Sequence, residues 1–308
     1  MRITSSRLAV LLASLALLAA AVGCAPRSNP APDSALQVTV SIVPQQYFVQ
    51  RIAGDRVLVN VMTDANADPH TYEPKPEQMR ALTRSAAYFA IGVEFEAAWL
   101  DRISAANKGM LMVDTIAGVQ RIPMADHDHD DEDGKDEDDE HAEDEGAPDP
   151  HVWLSPELVK VQAQAITDAL AQLDPAHQET YQANLRTFLA DIDALEADIR
   201  DTLAGLEGVK FMVFHPAWGY FARDFDLIQV AVEVGGQEPS AQELARLITE
   251  ARAEGIRVLF AQPEFSTRAA ETIAKEINGQ VLLISPLAPD WLANMRLVAQ
   301  TFAQALRR

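Results

Sequence analysis

The stretch Asp174–Ala204, DPAHQETYQANLRTFLADIDALEADIRDTLA, decides the fold. Asp174-Pro175 restarts the chain. Beyond it Tyr181, Leu185, Phe188, Leu189, Ile192, Leu195, Ile199 and Leu203 recur at spacings of three and four, with charged residues opposite. That spacing predicts one amphipathic helix. Some thirty residues of helix would reach roughly 45 Å at 1.5 Å per residue. A single domain of this size does not need such a length, so the helix reads as a strut between two lobes.

Both flanks of the strut carry the same rhythm. Before it, Val38–Ile42, Val57–Met62, Tyr88–Ile91 and Leu111–Asp114 read as short strands, separated by helical stretches near Gln45–Ala53, Pro76–Arg84 and Glu96–Asn107. After it, Val209–Phe214, Ile228–Val232, Val258–Ala261 and Val281–Ile284 read as strands. Further helices are expected at Glu157–Leu173 behind the cap-and-proline pair Ser155-Pro156, at Ala241–Glu254 behind a capping box of Ser240 and Glu243, and at Trp291–Leu306. Strands alternating with helices imply crossover units and a mostly parallel sheet. The expected class is therefore α/β: two lobes, each with a mostly parallel four-stranded sheet, joined by one long rigid helix. The N-terminal lobe is placed at 37–175, the linking helix at 176–206 and the C-terminal lobe at 207–308. Ligands of such sheets bind beyond the carboxyl ends of the strands, which here can face one another across a cleft.

The first residues read as an export signal. Arg2 and Arg7 precede an apolar run from Leu8 to Val22, which closes on Ala21-Val22-Gly23-Cys24. Small residues before a cysteine are the pattern cut by lipoprotein signal peptidase, so residues 1–23 are expected to be removed and Cys24 to carry lipid. Residues 24–36 then form a tether. Cys24 is the only cysteine, so no disulfide can hold the fold. No later stretch is apolar enough to span a bilayer. The expected location is the periplasm or cell surface, anchored through lipidated Cys24, and the expected state a monomer.

Charge is concentrated in one place. Asp126–Asp149, DHDHDDEDGKDEDDEHAEDEGAPD, holds fifteen Asp or Glu residues and one Lys, fourteen of the chain's 21 net negative charges. It has almost nothing apolar to bury, so 126–148 is expected to be a solvated loop. Its His127, His129 and His141, interleaved with carboxylates, make weak and labile ligands for borderline metal ions. A solubilising linker is the other reading. A balance this negative argues against a nucleic-acid partner, which needs a basic footprint.

Of the four histidines outside the loop, His177 lies in the first turn of the strut and reads as an exposed imidazole. His70 and His215 each follow a predicted strand, and His151 sits where the acidic loop rejoins the fold. Asp-Pro precedes His70 and His151, and Pro216 follows His215. Proline beside a ligand fixes the local backbone, so less ordering is needed when metal binds. Imidazoles from both lobes at equivalent strand ends point to one shared cation. Neutral imidazoles suit zinc, whereas a manganese site is expected to carry more oxygen ligands.

Four motifs carry a resemblance to a known family. They are Asp68-Pro-His-Thr-Tyr-Glu-Pro74, Asp149-Pro-His-Val-Trp-Leu-Ser-Pro156, Phe214-His-Pro-Ala-Trp-Gly-Tyr-Phe221 and Glu238-Pro-Ser240. The chain from the tether onward resembles the zinc- and manganese-specific solute-binding lipoproteins of ABC importers. The resemblance implies metal bound between two lobes at His70, His151 and His215 and passed to a membrane permease. An acidic, His-rich loop before the second histidine, and histidine rather than carboxylate at position 215, imply Zn2+ over Mn2+. Where the family often places an aspartate as fourth ligand this sequence has Ser285, a poor zinc ligand. Water, Glu73, Glu264 or a loop residue could fill that place. The expected function is extracytoplasmic zinc binding for an ABC permease. The alternatives are a manganese- or iron-binding importer component, a zinc-dependent enzyme and a surface adhesin. Against the enzyme, the sequence offers no His-Glu-x-x-His helix and no base beyond Glu73.

Overall fold

The computed structural model describes residues 35–64, 67–124, 147–233, 239–264 and 267–307. The export signal, Cys24, most of the tether, the acidic run with His127, His129 and His141, and Glu238 lie outside the described residues.

Among the described residues, eight strands form two separate sheets, each parallel throughout. The first holds β1 (Leu36–Val40), β2 (Val57–Val61), β3 (Ala87–Ala90) and β4 (Leu111–Asp114) in the order β2-β1-β3-β4. The second holds β5 (Lys210–Val213), β6 (Ile228–Ala231), β7 (Val258–Ala261) and β8 (Gln280–Leu283) in the order β6-β5-β7-β8. The helices are α1 (Val43–Ala53), α2 (Pro76–Leu82), α3 (Glu94–Ala106), α4 (Pro156–Leu173), α5 (Gln178–Leu203), α6 (Gly219–Asp224), α7 (Ala241–Ala253), α8 (Arg268–Glu276) and α9 (Trp291–Leu306). In both sheets the chain returns past its first strand, so the carboxyl ends of the two central strands flank a switch point where loops splay apart.

The period-two alternation of the strands sorts the second sheet's side chains onto two faces. Phe211, Val213, Val258 and Phe260 join a large core shared with the first lobe, while Met212, Phe214, Leu259 and Ala261 form a smaller cluster with Leu247 of α7 and Ile273 of α8. α4 begins as its sequence predicts: Ser155 Oγ accepts the Leu158 N–H at 3.2 Å behind Pro156. Ser240 and Glu243 likewise form the capping box that opens α7.

The long helix is α5, entered through a 3-10 turn at Pro175–His177 rather than directly from Asp174-Pro175. Asp174 is the reason, since its carboxylate accepts from both His177 Nδ1 at 2.7 Å and Tyr181 Oη at 2.6 Å. His177 is therefore tied to its own turn and stays partly exposed. At 26 residues α5 is about 39 Å long. Tyr181, Leu185, Phe188, Ile192, Leu195, Ile199 and Leu203 form its buried stripe, and the helix packs against α1, α4 and α9. One hydrophobic core therefore runs through both lobes.

Two helices escaped the periodicity reading. α6 spans only six residues, and α8 buries only Ala270, Ile273 and Ala274. Neither repeats its apolar positions often enough to register.

Tryptophans bolt the lobes together behind the cleft. Trp153 Nε1–H donates to the Pro286 carbonyl at 2.7 Å, and Trp291 Nε1–H donates to the Trp153 carbonyl at 2.7 Å. Both indoles are fully buried, as expected when an N–H finds a partner inside a core.

Candidate metal centre

Loops beyond two strands, and the turn that follows the acidic run, bring His70, His151 and His215 together. One ring nitrogen of each lies within 4.8 Å of the others, and among the described residues these three form the convergent group of metal-ligating side chains. His70 reaches in from the loop after β2. His215 stands just past β5, where its carbonyl accepts from Gln262 Nε2 at 3.0 Å. His151 opens the turn after the acidic run, 5.2 Å ring to ring from Trp153.

The Asp-Pro-His motifs have a local explanation. In each, the aspartate folds back over the proline to accept the histidine N–H at 2.8 Å, Asp68 for His70 and Asp149 for His151. Proline between them supplies the fixed φ, so the ring's starting point is set by the chain itself.

Each imidazole is then oriented by a carboxylate. His70 Nδ1 lies 2.6 Å from Glu94 Oε2, His151 Nδ1 2.8 Å from Asp149 Oδ1, and His215 Nδ1 2.9 Å from Glu233 Oε2. A carboxylate on Nδ1 fixes the tautomer that turns Nε2 toward the centre and raises its basicity. None of the three carboxylates was singled out from sequence. Asp149 had a signal, sitting two residues before its histidine inside a quoted motif. Glu94 and Glu233 follow β3 and β6, so only the folded sheets reveal their roles.

His151 Nε2 and His215 Nε2 are 3.3 Å apart. Two ligands at zinc's usual 2.0–2.1 Å, separated by a tetrahedral angle, stand about 3.3 Å apart, so the spacing fits that ion. Inward-turned lone pairs this close repel unless a cation or a proton lies between them. The donor set therefore fits zinc, and three nitrogens leave one tetrahedral position for another ligand.

Burial grades the site. The side chains of His151 and His215 are 1% and 6% exposed, that of His70 is 16%, and that of Glu94 is 45%. The cleft thus opens on the His70 side. Burial, followed by the charges of His70 and His215, holds the His151 pKa well below the ordinary imidazole range, so this ring stays neutral and ready to ligate. Burial pushes Asp149 up to about 7. At His70 burial also opposes charge, but the Glu94 hydrogen bond and charge outweigh it and hold His70 above the usual range. Glu94 answers in kind: burial raises it, yet the bond to His70 leaves it below the usual carboxylate value.

The carboxylate packing is tight. A Cβ placed on Gly219 would come within 2.8 Å of Asp149 Oδ2, so the glycine of the Trp218-Gly219-Tyr220 motif makes room for the group that orients His151. Tyr220 Oη donates to the Asp149 carbonyl at 2.9 Å and accepts the Ile122 N–H at 3.3 Å. Replacing Glu94, Asp149 or Glu233 by its amide is expected to weaken metal binding about 10- to 100-fold each, measured by competition with a chromophoric chelator. An unchanged affinity in all three would show that the imidazoles orient themselves.

Neither carboxylate considered for the fourth position stands in the cluster. Glu73 is exposed on the loop after His70. Glu264 accepts a hydrogen bond from Ser285 Oγ, and its other oxygen is buried without a partner among the described residues.

Two α/β lobes bolted together, with oriented imidazoles from both converging in the cleft, define a metal-binding protein of the solute-binding class. The chain belongs to the ZnuA family, described as zinc-uptake complex component A, periplasmic, which it matches over residues 38–305. It is 31% identical to the high-affinity zinc uptake system protein ZnuA of Bacillus subtilis, over 90% of this chain and 86% of that one. A crystal structure of ZnuA superposes with a TM-score of 0.80 at 45% identity, covering 88% of this chain and 99% of the other. A ZnuA deletion mutant with zinc bound gives the same TM-score and identity, with 98% of its chain covered.

Proposed function

We propose that this protein captures zinc outside the cytoplasm, holds it at His70, His151 and His215, and delivers it to the membrane permease of an ABC importer. The single observation that carries this is the 3.3 Å separation of two inward-facing imidazole nitrogens, each oriented by a buried carboxylate. Family membership and the zinc-bound relative support zinc as the cargo. An all-nitrogen set favours zinc over manganese, which is better served by oxygen. Water or a carboxylate reaching in completes the tetrahedron.

Binding rather than catalysis is the reading, because the relatives named above are uptake components. Glu73, the base a hydrolytic reading would call on, lies outside the convergent group. Lipid on Cys24 would keep the carrier beside its permease. Among the described residues no helix is long and apolar enough to cross a membrane.

The acidic run is read as a collector of cations, attached by a short stem. Pro123 and Pro148 bridge antiparallel, Met124 N–H donates to the Ala147 carbonyl at 2.8 Å, and Asp149 N–H donates to Ile122 at 2.8 Å. Met124 and Ala147, the described residues on either side of the undescribed stretch, thus stand side by side. Deleting 126–147 is expected to keep the tight site and remove weaker zinc equivalents from a calorimetric titration; unchanged stoichiometry would reduce the run to a solvated linker.

Metal analysis of the purified protein, followed by competition among zinc, manganese and iron, tests the assignment. One equivalent of zinc held against excess manganese is expected. Preferential retention of manganese or iron would overturn it.

A further inference from the structure

We infer that Glu96, which touches none of the three imidazoles, is the positioning residue for the His70 side of the site. This rests on the reading that zinc is held by the three histidines. Glu96 is 3% exposed and is the acceptor for donors from three directions. Oε1 takes the Ser41 hydroxyl from the end of β1, and Tyr88 Oη from β3 at 3.0 Å. Oε2 takes the Gly92 N–H at 2.5 Å and the Ile91 N–H at 3.2 Å. These last two belong to the sharp turn between β3 and α3, where Gly92 stands at φ +80°. A Cβ at Gly92 would also press to 3.3 Å against Ile116 and Arg121. The turn therefore has little freedom of its own, and Glu96 ties it to two strands.

The consequence lies two residues earlier. Glu94 is the first residue of α3, and its carboxylate is the partner of His70 Nδ1. Where the turn and the first residue of α3 sit, Glu94 sits, and with it the orientation of the most exposed imidazole. His151 gets its carboxylate from its own turn and needs no such support. His70 borrows its carboxylate from another strand's loop, so a separate anchor has to fix that loop. An ionised or neutral carboxyl group offers enough lone pairs for donors on both oxygens; an amide turns N–H toward at least one of them and breaks the knot. Burying a carboxyl group costs stability that an apolar side chain would not, and a multi-pronged acceptor is what the turn requires in return.

A double-mutant cycle tests this on the full protein. Zinc affinity is measured by chelator competition for the parent, Glu96→Gln, Glu94→Gln and the double variant, with thermal unfolding of each metal-free protein alongside. Glu96→Gln is expected to lower affinity about tenfold, Glu94→Gln about 10- to 100-fold, and the double variant no further than Glu94→Gln alone. A residue that merely stabilises the fold would lower the unfolding temperature without that coupling. Fully multiplicative losses, or unaltered affinity in a folded Glu96→Gln protein, would overturn the inference. If Glu96→Gln does not fold, Tyr88→Phe removes one donor to Glu96 and is expected to weaken zinc about threefold, with the same loss of effect in the Glu94→Gln background. A control separates the two readings. If His70→Ala leaves the parent affinity intact, the three-histidine site itself fails. If His70→Ala abolishes tight binding while the cycle is additive, only the role of Glu96 fails.

Discussion

Replacing His215 with alanine is expected to weaken zinc binding about 100- to 1,000-fold while leaving the protein folded. A four-ligand zinc site contributes on the order of 10–16 kcal/mol, or about 2.5–4 kcal/mol for each ligand. His215 is the contribution of the second lobe, so its loss leaves zinc held by His70 and His151 of the first lobe alone. The substitution also leaves the buried Glu233 without the imidazole it now pairs with, which adds cost in the metal-free protein and is visible as a small fall in unfolding temperature. His177→Ala is the matched control. That imidazole bonds to Asp174 at the start of α5 and lies outside the convergent group, so zinc affinity should not change. Equal effects from the two substitutions would mean the loss reflects histidine content rather than geometry.

Acidification gives the second large effect. Zinc needs each imidazole unprotonated, so protons compete directly for the site. Glu94 holds His70 above the ordinary imidazole value near 6.5, whereas burial holds His151 well below it. The sign follows: binding is full above the raised His70 value and is lost as pH falls through it, while His151 remains available. Affinity should fall about tenfold for each pH unit below the His70 titration, beginning at a higher pH than an isolated histidine would require. Glu94→Gln should move that onset downward, because the group that stabilises the His70 proton is gone. Affinity that stays flat from pH 7.5 to 5.5 would remove imidazoles from the coordination shell.

The sequence carried the architecture because both lobes obey simple periodicities. The buried stripe from Tyr181 to Leu203 marks the long helix, and the β-branched runs mark the eight strands within a residue or two of their ends. The histidines that converge were legible as well, since prolines flag His70, His151 and His215 as residues in rigid loops. Their orienting carboxylates were not. Glu94 and Glu233 lie 24 and 18 residues from the imidazoles they hold, and nothing local distinguishes them from solvated acids. Glu96 is harder still, because in sequence it is one of two glutamates opening a helix. Its burial becomes apparent only when Ser41 and Tyr88 arrive from other strands. Ser285 and Glu264 show the reverse: sequence marked the position, and the structure pairs the two side chains with each other rather than with the histidines.

Zinc K-edge X-ray absorption on the one-to-one zinc complex examines the convergence of the imidazoles most directly. The expected spectrum is four-coordinate, with three imidazole nitrogens at roughly 2.0–2.1 Å showing imidazole multiple scattering and one oxygen ligand beside them. A shell with one imidazole or none, dominated by oxygen, would contradict it.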